Sequence, residues 1–242
     1  MTTPIFPPWP LRSGLEAATR ALFNLGNQSS GDFLRPAGEV ALVSPDSASW
    51  HVFKNPLSLF IGGVATLIME LAEPRVRTGV WEHTTFRIDP IRRLRRTGLA
   101  AMVTIYGARG MAEAMIARIR GMHDRIAGAT PAGKAYGAND PALLNWVQGT
   151  AAYGFLQAYH AYVRPLSNLR CDRYYAEGTF AASLYGASAP TSEGALELRF
   201  EAMANQLERS DILFEFLAIM RSAPHSAIAA EGGAAIADAG RD

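Results

Sequence analysis

The sequence predicts an all-α fold. Three pairs, Asn55-Pro56, Asp89-Pro90 and Asp140-Pro141, each place a capping side chain before a proline at the first helical position. Elsewhere apolar residues recur at spacings of three and four, and no repeated strand–helix pattern is visible. These features predict helices near residues 13–25, 56–72, 74–84, 90–106, 109–127, 141–163, 167–186, 192–208 and 210–221.

The segments between these helices carry weaker patterns. Val40–Phe53 alternates weakly and could be extended. Gly128–Ala135 resembles the start of a phosphate-binding loop, but such a loop follows a strand and ends in Ser or Thr, whereas here a predicted helix precedes it and Ala135 ends it. We therefore interpret it as a helix-ending turn. Residues 1–12 read as a proline-rich arm and residues 224–242 as a flexible tail rich in Ala and Gly.

Length and composition favour one globular domain over residues 1–242. The 23 basic and 22 acidic residues nearly cancel, which argues against a nucleic-acid partner. A single cysteine, Cys171, and the lack of a signal-peptide pattern predict a cytoplasmic protein. The most apolar stretch, Leu57–Ala72, has 16 residues and contains Glu70, so it is too short for a membrane span of roughly 20 residues. We expect a buried helix there.

Several catalytic classes lack their motifs. The sequence has no pair of Glu-x-x-His motifs, which disfavours a carboxylate-bridged di-iron centre. It also has no Gly-x-Ser-x-Gly and no His-Glu-x-x-His, so nothing indicates a serine hydrolase or a zinc protease.

His123 is the most informative of the five histidines. On the predicted helix 109–127 it shares one face with apolar residues, among them Ala112, Ile116 and Ile119. The imidazole should therefore point into the core. Periodicity alone favours a structural histidine over a metal ligand.

A polar stripe on the predicted helix 90–106 adds a second feature. Arg93, Thr97, Ala100 and Thr104 lie on one face, polar at one end and narrow along its length. A planar macrocycle with anionic propionates fits this combination, because small residues accommodate the ring and an arginine or hydroxyl can meet its charged edge. The alternative is a solvated basic helix start, which we favour for the neighbouring Arg92.

Six motifs in order, between about residues 50 and 190, resemble the latex clearing protein and MpaB superfamily of haem oxygenases. Each motif is weak alone, and their order and spacing carry the resemblance. They are Glu82–Phe86, Asp89–Thr97, His123–Gly128, Tyr136–Val147, Pro165–Ser167 and Asp172–Tyr175.

This resemblance implies a globin-like helical core that binds haem b. It implies that His123 is the proximal iron ligand and that Arg93 and Thr97 lie near the cofactor. Characterised relatives use dioxygen to cleave carbon–carbon double bonds in isoprenoid chains, so dioxygen and an apolar small molecule are the expected partners. The resemblance implies the cofactor of this protein more strongly than its reaction.

One departure from the family pattern concerns Glu73-Pro74, where many members carry His-Pro. Glu73 could orient dioxygen or act as an acid or base, or it could be an exposed carboxylate that favours the helix dipole. His83 is similarly open between a supporting role at the catalytic site and a buried helix-ending position. Tyr136, Trp146 and Tyr159 are interpreted as packing residues.

The resemblance thus favours a haem b-dependent oxygenase acting on an apolar small molecule such as an alkene or isoprenoid. Three alternatives stay open at this point. The protein could use peroxide instead of dioxygen, it could be a haem-binding sensor or carrier without turnover, or it could have lost haem and bind an apolar ligand instead.

Overall fold

The computed structural model describes residue 36 and residues 38–222, and these residues are mainly helical. The predicted all-α class is confirmed. The elements are α1 (Ala48–Val52), α2 (Pro56–Glu70), α3 (Pro74–His83), α4 (Pro90–Tyr106), α5 (Arg109–His123), β1 (Ala127–Ala129), β2 (Ala135–Gly137), α6 (Pro141–Tyr162), α7 (Asn168–Glu177), α8 (Thr179–Tyr185), α9 (Glu193–Met203) and α10 (Asp211–Ser222).

The three predicted capped helix starts are confirmed. Asn55 Oδ1 accepts from the Ser58 amide at 3.0 Å at the start of α2, and Asp89 Oδ1 accepts from the Arg92 amide at 3.1 Å at the start of α4. Asp140 Oδ1 accepts from a first-turn amide of α6 at 2.8 Å. In each case the cap satisfies an amide that has no partner within the helix.

The predicted helix 109–127 ends early, at His123. A short antiparallel hairpin of β1 and β2 follows, so the prediction of a helix-ending turn over Gly128–Ala135 was wrong. Gly133 turns the chain with a φ of 80°, and the Thr130 hydroxyl accepts from the Lys134 amide at 3.1 Å. Glycine adopts this left-handed conformation without steric cost, and that lets the hairpin close.

Other boundaries shift by smaller amounts. The predicted helix 167–186 is divided at Gly178 into α7 and α8, and the predicted helix 192–208 ends at Met203 before a 3₁₀ turn. Val40–Phe53 forms α1 and one isolated bridge between Ala41 and Ala108. The predicted arm 1–12, helix 13–25 and tail 224–242 lie outside the described residues.

The closest helix pair in the fold is α2 against α6. A Cβ on Gly154 of α6 would lie 2.4 Å from Thr66 Oγ1, and one on Gly62 of α2 would lie 2.8 Å from the Phe155 ring. The absence of side chains at these two glycines therefore allows the backbones to approach. Within residues 38–222 no helix is long and apolar enough to cross a membrane.

Three apolar clusters fill the interior of the part of the chain that the structure describes. One joins α1, α2, α4, α6 and α7, and it includes Tyr159; a second packs the end of α2 and Phe86 against Phe216 of α10. The third surrounds Tyr136 and Trp146, between α3, the hairpin and α6. All of these aromatic residues are buried, so the packing roles expected for Tyr136, Trp146 and Tyr159 are confirmed. Polar side chains also lie at helix ends: Glu70 ends α2, Arg93 lies in the first turn of α4 and His123 ends α5.

Candidate functional site

His123 is the last residue of α5. Ala112 and Ile116 on the same helix are buried, which anchors this face of α5 in the interior. The imidazole is partly buried, and its Nδ1 atom is inaccessible to solvent and has no hydrogen-bond partner among the described residues. The inward orientation predicted from periodicity is confirmed for this edge of the ring.

The surroundings of His123 favour a neutral imidazole. Burial is the largest influence and lowers the pKa of His123, and the positive charge of Arg93 acts in the same direction. The neighbouring Asn139 side chain and the charge of Asp124 raise the pKa and oppose this effect. A neutral imidazole keeps a lone pair on one ring nitrogen, which is the state that binds a metal.

Arg93 lies in the first turn of α4 and contacts Thr97 one turn later. Its guanidinium donates a hydrogen bond to Thr97 Oγ1, and the Thr97 hydroxyl lies 3.2 Å from the Arg93 carbonyl oxygen. The predicted adjacency of the two residues on one stripe is confirmed. Arg93 has no salt bridge with any carboxylate in the part of the chain that the structure describes, and burial lowers its pKa.

Glu70 is a buried carboxyl at the end of α2, with 8% of its surface exposed. Burial raises the pKa of Glu70 to about 7, against a smaller opposing effect of the Arg93 charge. Sequence reasoning noted Glu70 only as a residue that interrupts an apolar stretch. That interruption was the available signal, because a carboxylate is rarely buried without a role or a partner.

Arg93 interacts electrostatically with both Glu70 and His123. Three ionisable side chains from α2, α4 and α5 therefore lie in one region, which we call the central site. It combines an imidazole whose pKa is lowered, a guanidinium that has no salt bridge among the described residues, and a carboxyl whose pKa is raised to about 7.

Glu73 is buried at the N-terminus of α3, which contradicts the exposed alternative and leaves the acid–base role a prediction. Its side chain is fully buried and caps α3, because Oε2 accepts from the Val76 amide at 2.8 Å. Its Oε1 accepts from Arg75 Nε at 2.7 Å. The expectation of an exposed carboxylate was wrong, since the cap draws the side chain inward, but its position at the start of a helix is as expected. The structure gives Glu73 no contact with the central site.

His83 ends α3, as expected, but its ring is exposed rather than buried. Its Nε2 lies 3.1 Å from the Tyr136 hydroxyl, which donates to Glu82 Oε2 at 3.2 Å. Burial raises the pKa of Tyr136, and Glu82 adds to this effect. The structure shows no contact between His83 and the central site.

The far end of the α4 stripe is the buried Thr104. The Thr104 hydroxyl is buried, donates to the Ala100 carbonyl at 2.7 Å and lies 3.5 Å from the Tyr185 hydroxyl of α8. The stripe therefore carries the charge and an exposed hydroxyl at Arg93 and Thr97, whereas the Thr104 hydroxyl is satisfied by the carbonyl of its own helix.

The described residues define a mainly helical protein in which a partly buried histidine lies near a buried carboxyl and a guanidinium that has no salt bridge among them. The chain belongs to the family described as ER-bound oxygenase mpaB/B'/rubber oxygenase, catalytic domain, whose model matches residues 50–236. This confirms the resemblance carried by the six motifs, and it makes the domain an oxygenase domain. Comparisons with curated proteins and with solved structures gave no significant match.

Proposed function

We propose that the protein is a haem b-dependent oxygenase that acts on an apolar small molecule with dioxygen, and that His123 is the proximal iron ligand. The observation that carries the proposal is the inward, neutral His123 at the centre of a site in a chain of an oxygenase family. Haem is the cofactor implied by the resemblance, and the residues of the central site fit it in three respects.

The first respect is the histidine itself. Its Nδ1 is buried and has no hydrogen-bond partner among the described residues, which leaves Nε2 as the nitrogen available to iron. Because burial lowers the pKa of His123, the ring does not need to lose a proton before it binds a metal at neutral pH. A histidine ligand of haem is typically held by a second group on its other nitrogen.

The second respect is the charge of Arg93. Its guanidinium donates to a hydroxyl, not to a carboxylate, among the described residues. A buried or half-buried cation without a counter-ion is unfavourable, and an anionic group such as a haem propionate would compensate it. Thr97, in contact with Arg93, would hold the guanidinium toward that anion.

The third respect is the raised pKa of the Glu70 carboxyl. Haem, when bound, would supply the activation of dioxygen. Glu70 would supply a carboxyl group that exchanges a proton near neutral pH, because its pKa is raised to about 7. A buried, weakly hydrated acid next to an otherwise apolar helix is suited to deliver or accept one proton while water stays excluded.

An absorption spectrum tests the cofactor. We expect the purified protein, supplied with haem, to show a Soret band that shifts when it is reduced and exposed to carbon monoxide. His123→Ala should lose the band or change its coordination. The matched control is His51→Gln, since His51 is also partly buried but has its Nδ1 2.8 Å from the Ser47 carbonyl oxygen. No Soret band in the wild type would refute the haem proposal, and an unchanged His123→Ala spectrum would remove His123 from the iron.

Oxygen consumption tests the activity. The haem-loaded protein should consume dioxygen faster when short isoprenoids or alkenes are added, with labelled oxygen entering the product. A haem protein that consumes no oxygen with any member of such a panel would be a sensor or carrier instead. Turnover that depends on added hydrogen peroxide and not on dioxygen would identify a peroxide-using enzyme.

A further inference from the structure

We propose that Asn139 positions the His123 imidazole, with Asn139 Oδ1 accepting a hydrogen bond from His123 Nδ1 while Nε2 faces the iron. The part that concerns iron rests on the proposed function. The hydrogen bond between Asn139 and the His123 ring does not depend on it.

The position of Asn139 follows from the hairpin. Asn139 is the second residue after β2, and the preceding Ala138 amide donates to the Ile126 carbonyl at 2.9 Å, which holds this segment beside the end of α5. Asp140 then caps α6. Both neighbours of Asn139 are thus fixed by backbone hydrogen bonds, so its side chain has a defined place next to the helix that ends at His123.

The orientation of the Asn139 amide is also determined. Its Nδ2 donates to the Arg120 carbonyl at 3.0 Å and to Asp124 Oδ1 at 2.7 Å. Both partners are acceptors only, so the nitrogen and not the oxygen must face them. The Oδ1 atom is left on the other side, buried and without a hydrogen-bond partner among the described residues.

Two orphan atoms therefore belong to neighbouring side chains. Asn139 Oδ1 needs a donor, and His123 Nδ1 is buried and also lacks a partner in the part of the chain described. The Asn139 side chain raises the pKa of His123, as an adjacent hydrogen-bond acceptor does. Leaving both atoms unpaired costs free energy that a hydrogen bond between them would recover.

The pairing has a chemical consequence. A hydrogen bond from Nδ1–H fixes the tautomer in which Nε2 keeps its lone pair, and it fixes the plane of the ring. An amide oxygen is a neutral acceptor, so it gives the imidazole less negative character than a carboxylate would. Asp124 Oδ1 accepts from the amide nitrogen of Asn139, and the charge of Asp124 also raises the pKa of His123.

The test for the ring alone uses protein without haem. Long-range nitrogen–proton correlation NMR on histidine labelled with nitrogen-15 should show the Nδ1–H tautomer of His123, and Asn139→Leu should shift it toward Nε2–H. Asn145→Leu is the matched control. Asn145 lies on α6 and is also partly buried, but its Oδ1 already accepts from the Ser188 amide at 2.6 Å. An Nε2–H tautomer in the wild type would overturn the proposal, whether or not the protein binds haem.

The test with haem uses two variants that act in opposite directions. Relative to the wild type, Asn139→Asp should raise the iron–histidine stretching frequency of the ferrous protein and lower its reduction potential, whereas Asn139→Leu should do the reverse. A merely structural Asn139 would shift both variants in the same direction or neither, and either result would overturn the proposal. A wild type that binds no haem would refute the proposed function, and the NMR result would still decide the role of Asn139.

Discussion

Glu70 and Arg93 lie close enough for each to shift the pKa of the other, yet no salt bridge joins their side chains in the described part of the chain. A salt bridge would hold the carboxyl ionised and lower its pKa. Here burial prevails and raises the pKa of Glu70 to about 7. The central site therefore keeps part of the positive charge of Arg93 uncompensated, which favours an anionic ligand.

Glu70→Gln should change the pH dependence of stability in the protein without haem. The folded pKa of about 7 lies above the ordinary 4.5, so folded Glu70 holds a proton that the unfolded chain releases. This contribution to wild-type stability is fully present below pH 4.5 and is lost as the pH rises to 7. The difference between the two pKa values corresponds to about 3 kcal/mol, as an upper limit.

Denaturant unfolding at a series of pH values checks this. Between pH 4.5 and 7 the free energy of unfolding of Glu70→Gln should rise relative to that of the wild type, and above pH 7 the difference should stay constant. Glu113→Gln is the control, because Glu113 forms an exposed salt bridge with Arg109, worth less than about 1 kcal/mol. If the two proteins differed by a constant free energy of unfolding across this pH range, Glu70 would be ionised throughout it.

Arg93→Leu should weaken haem binding. Loss of charge-assisted hydrogen bonds to an anion costs about 1.5–3 kcal/mol, or roughly 10- to 100-fold in affinity. Transfer of haem to apomyoglobin measures the change as a faster dissociation rate. Arg92→Leu is the matched control, since Arg92 is the exposed neighbour on the same helix turn. Equal dissociation rates for the two variants would place the propionates elsewhere.

The fold was largely predictable where a local signal sets it. A capping side chain followed by proline defines a helix start within a few residues, and three such starts agree with the structure. The hairpin after His123 was not predictable in the same way. Its strands have three residues each and consist of small side chains, so neither alternation nor β-propensity marks them.

The site was predictable only in part. Periodicity indicates that His123 faces inward, and spacing puts Arg93 beside Thr97, because both are properties of a single helix. Glu70 reaches Arg93 only through the packing of α2 against α4, and that is not encoded in either segment alone. Asn139 reaches α5 only because the unpredicted hairpin turns the chain back.

Glu73→Ala should destabilise the fold. The change removes the cap of α3, worth about 1 kcal/mol, and leaves the nearly buried guanidinium of Arg75 without its close partner, so a total loss of about 2 kcal/mol or more is expected. Ser192→Ala is the control, because Ser192 also caps a helix but has no ion pair; it should cost only about 1 kcal/mol.

The same residue separates a structural from a catalytic role. Glu73→Gln keeps an oxygen for the Val76 amide and loses the charge, so we expect a moderate loss of stability with turnover per bound haem retained. Turnover that falls a hundredfold or more, with haem content and unfolding midpoint unchanged, would instead support the acid–base role that the sequence left open.

Gly154→Ala should lower stability through the contact between α2 and α6. A methyl group at Gly154 would lie 2.4 Å from Thr66 Oγ1 and 2.9 Å from the Gly62 carbonyl oxygen, and a backbone atom cannot yield as a side chain can. Overpacking of this kind costs about 1–3 kcal/mol. Gly63→Ala is the control, since its methyl group would meet only the Phe155 ring, at 3.9 Å, and better helix propensity should stabilise it by up to about 1 kcal/mol. Thermal unfolding of both variants measures the contrast, and a Gly154→Ala protein as stable as Gly63→Ala would mean that the helices separate without cost.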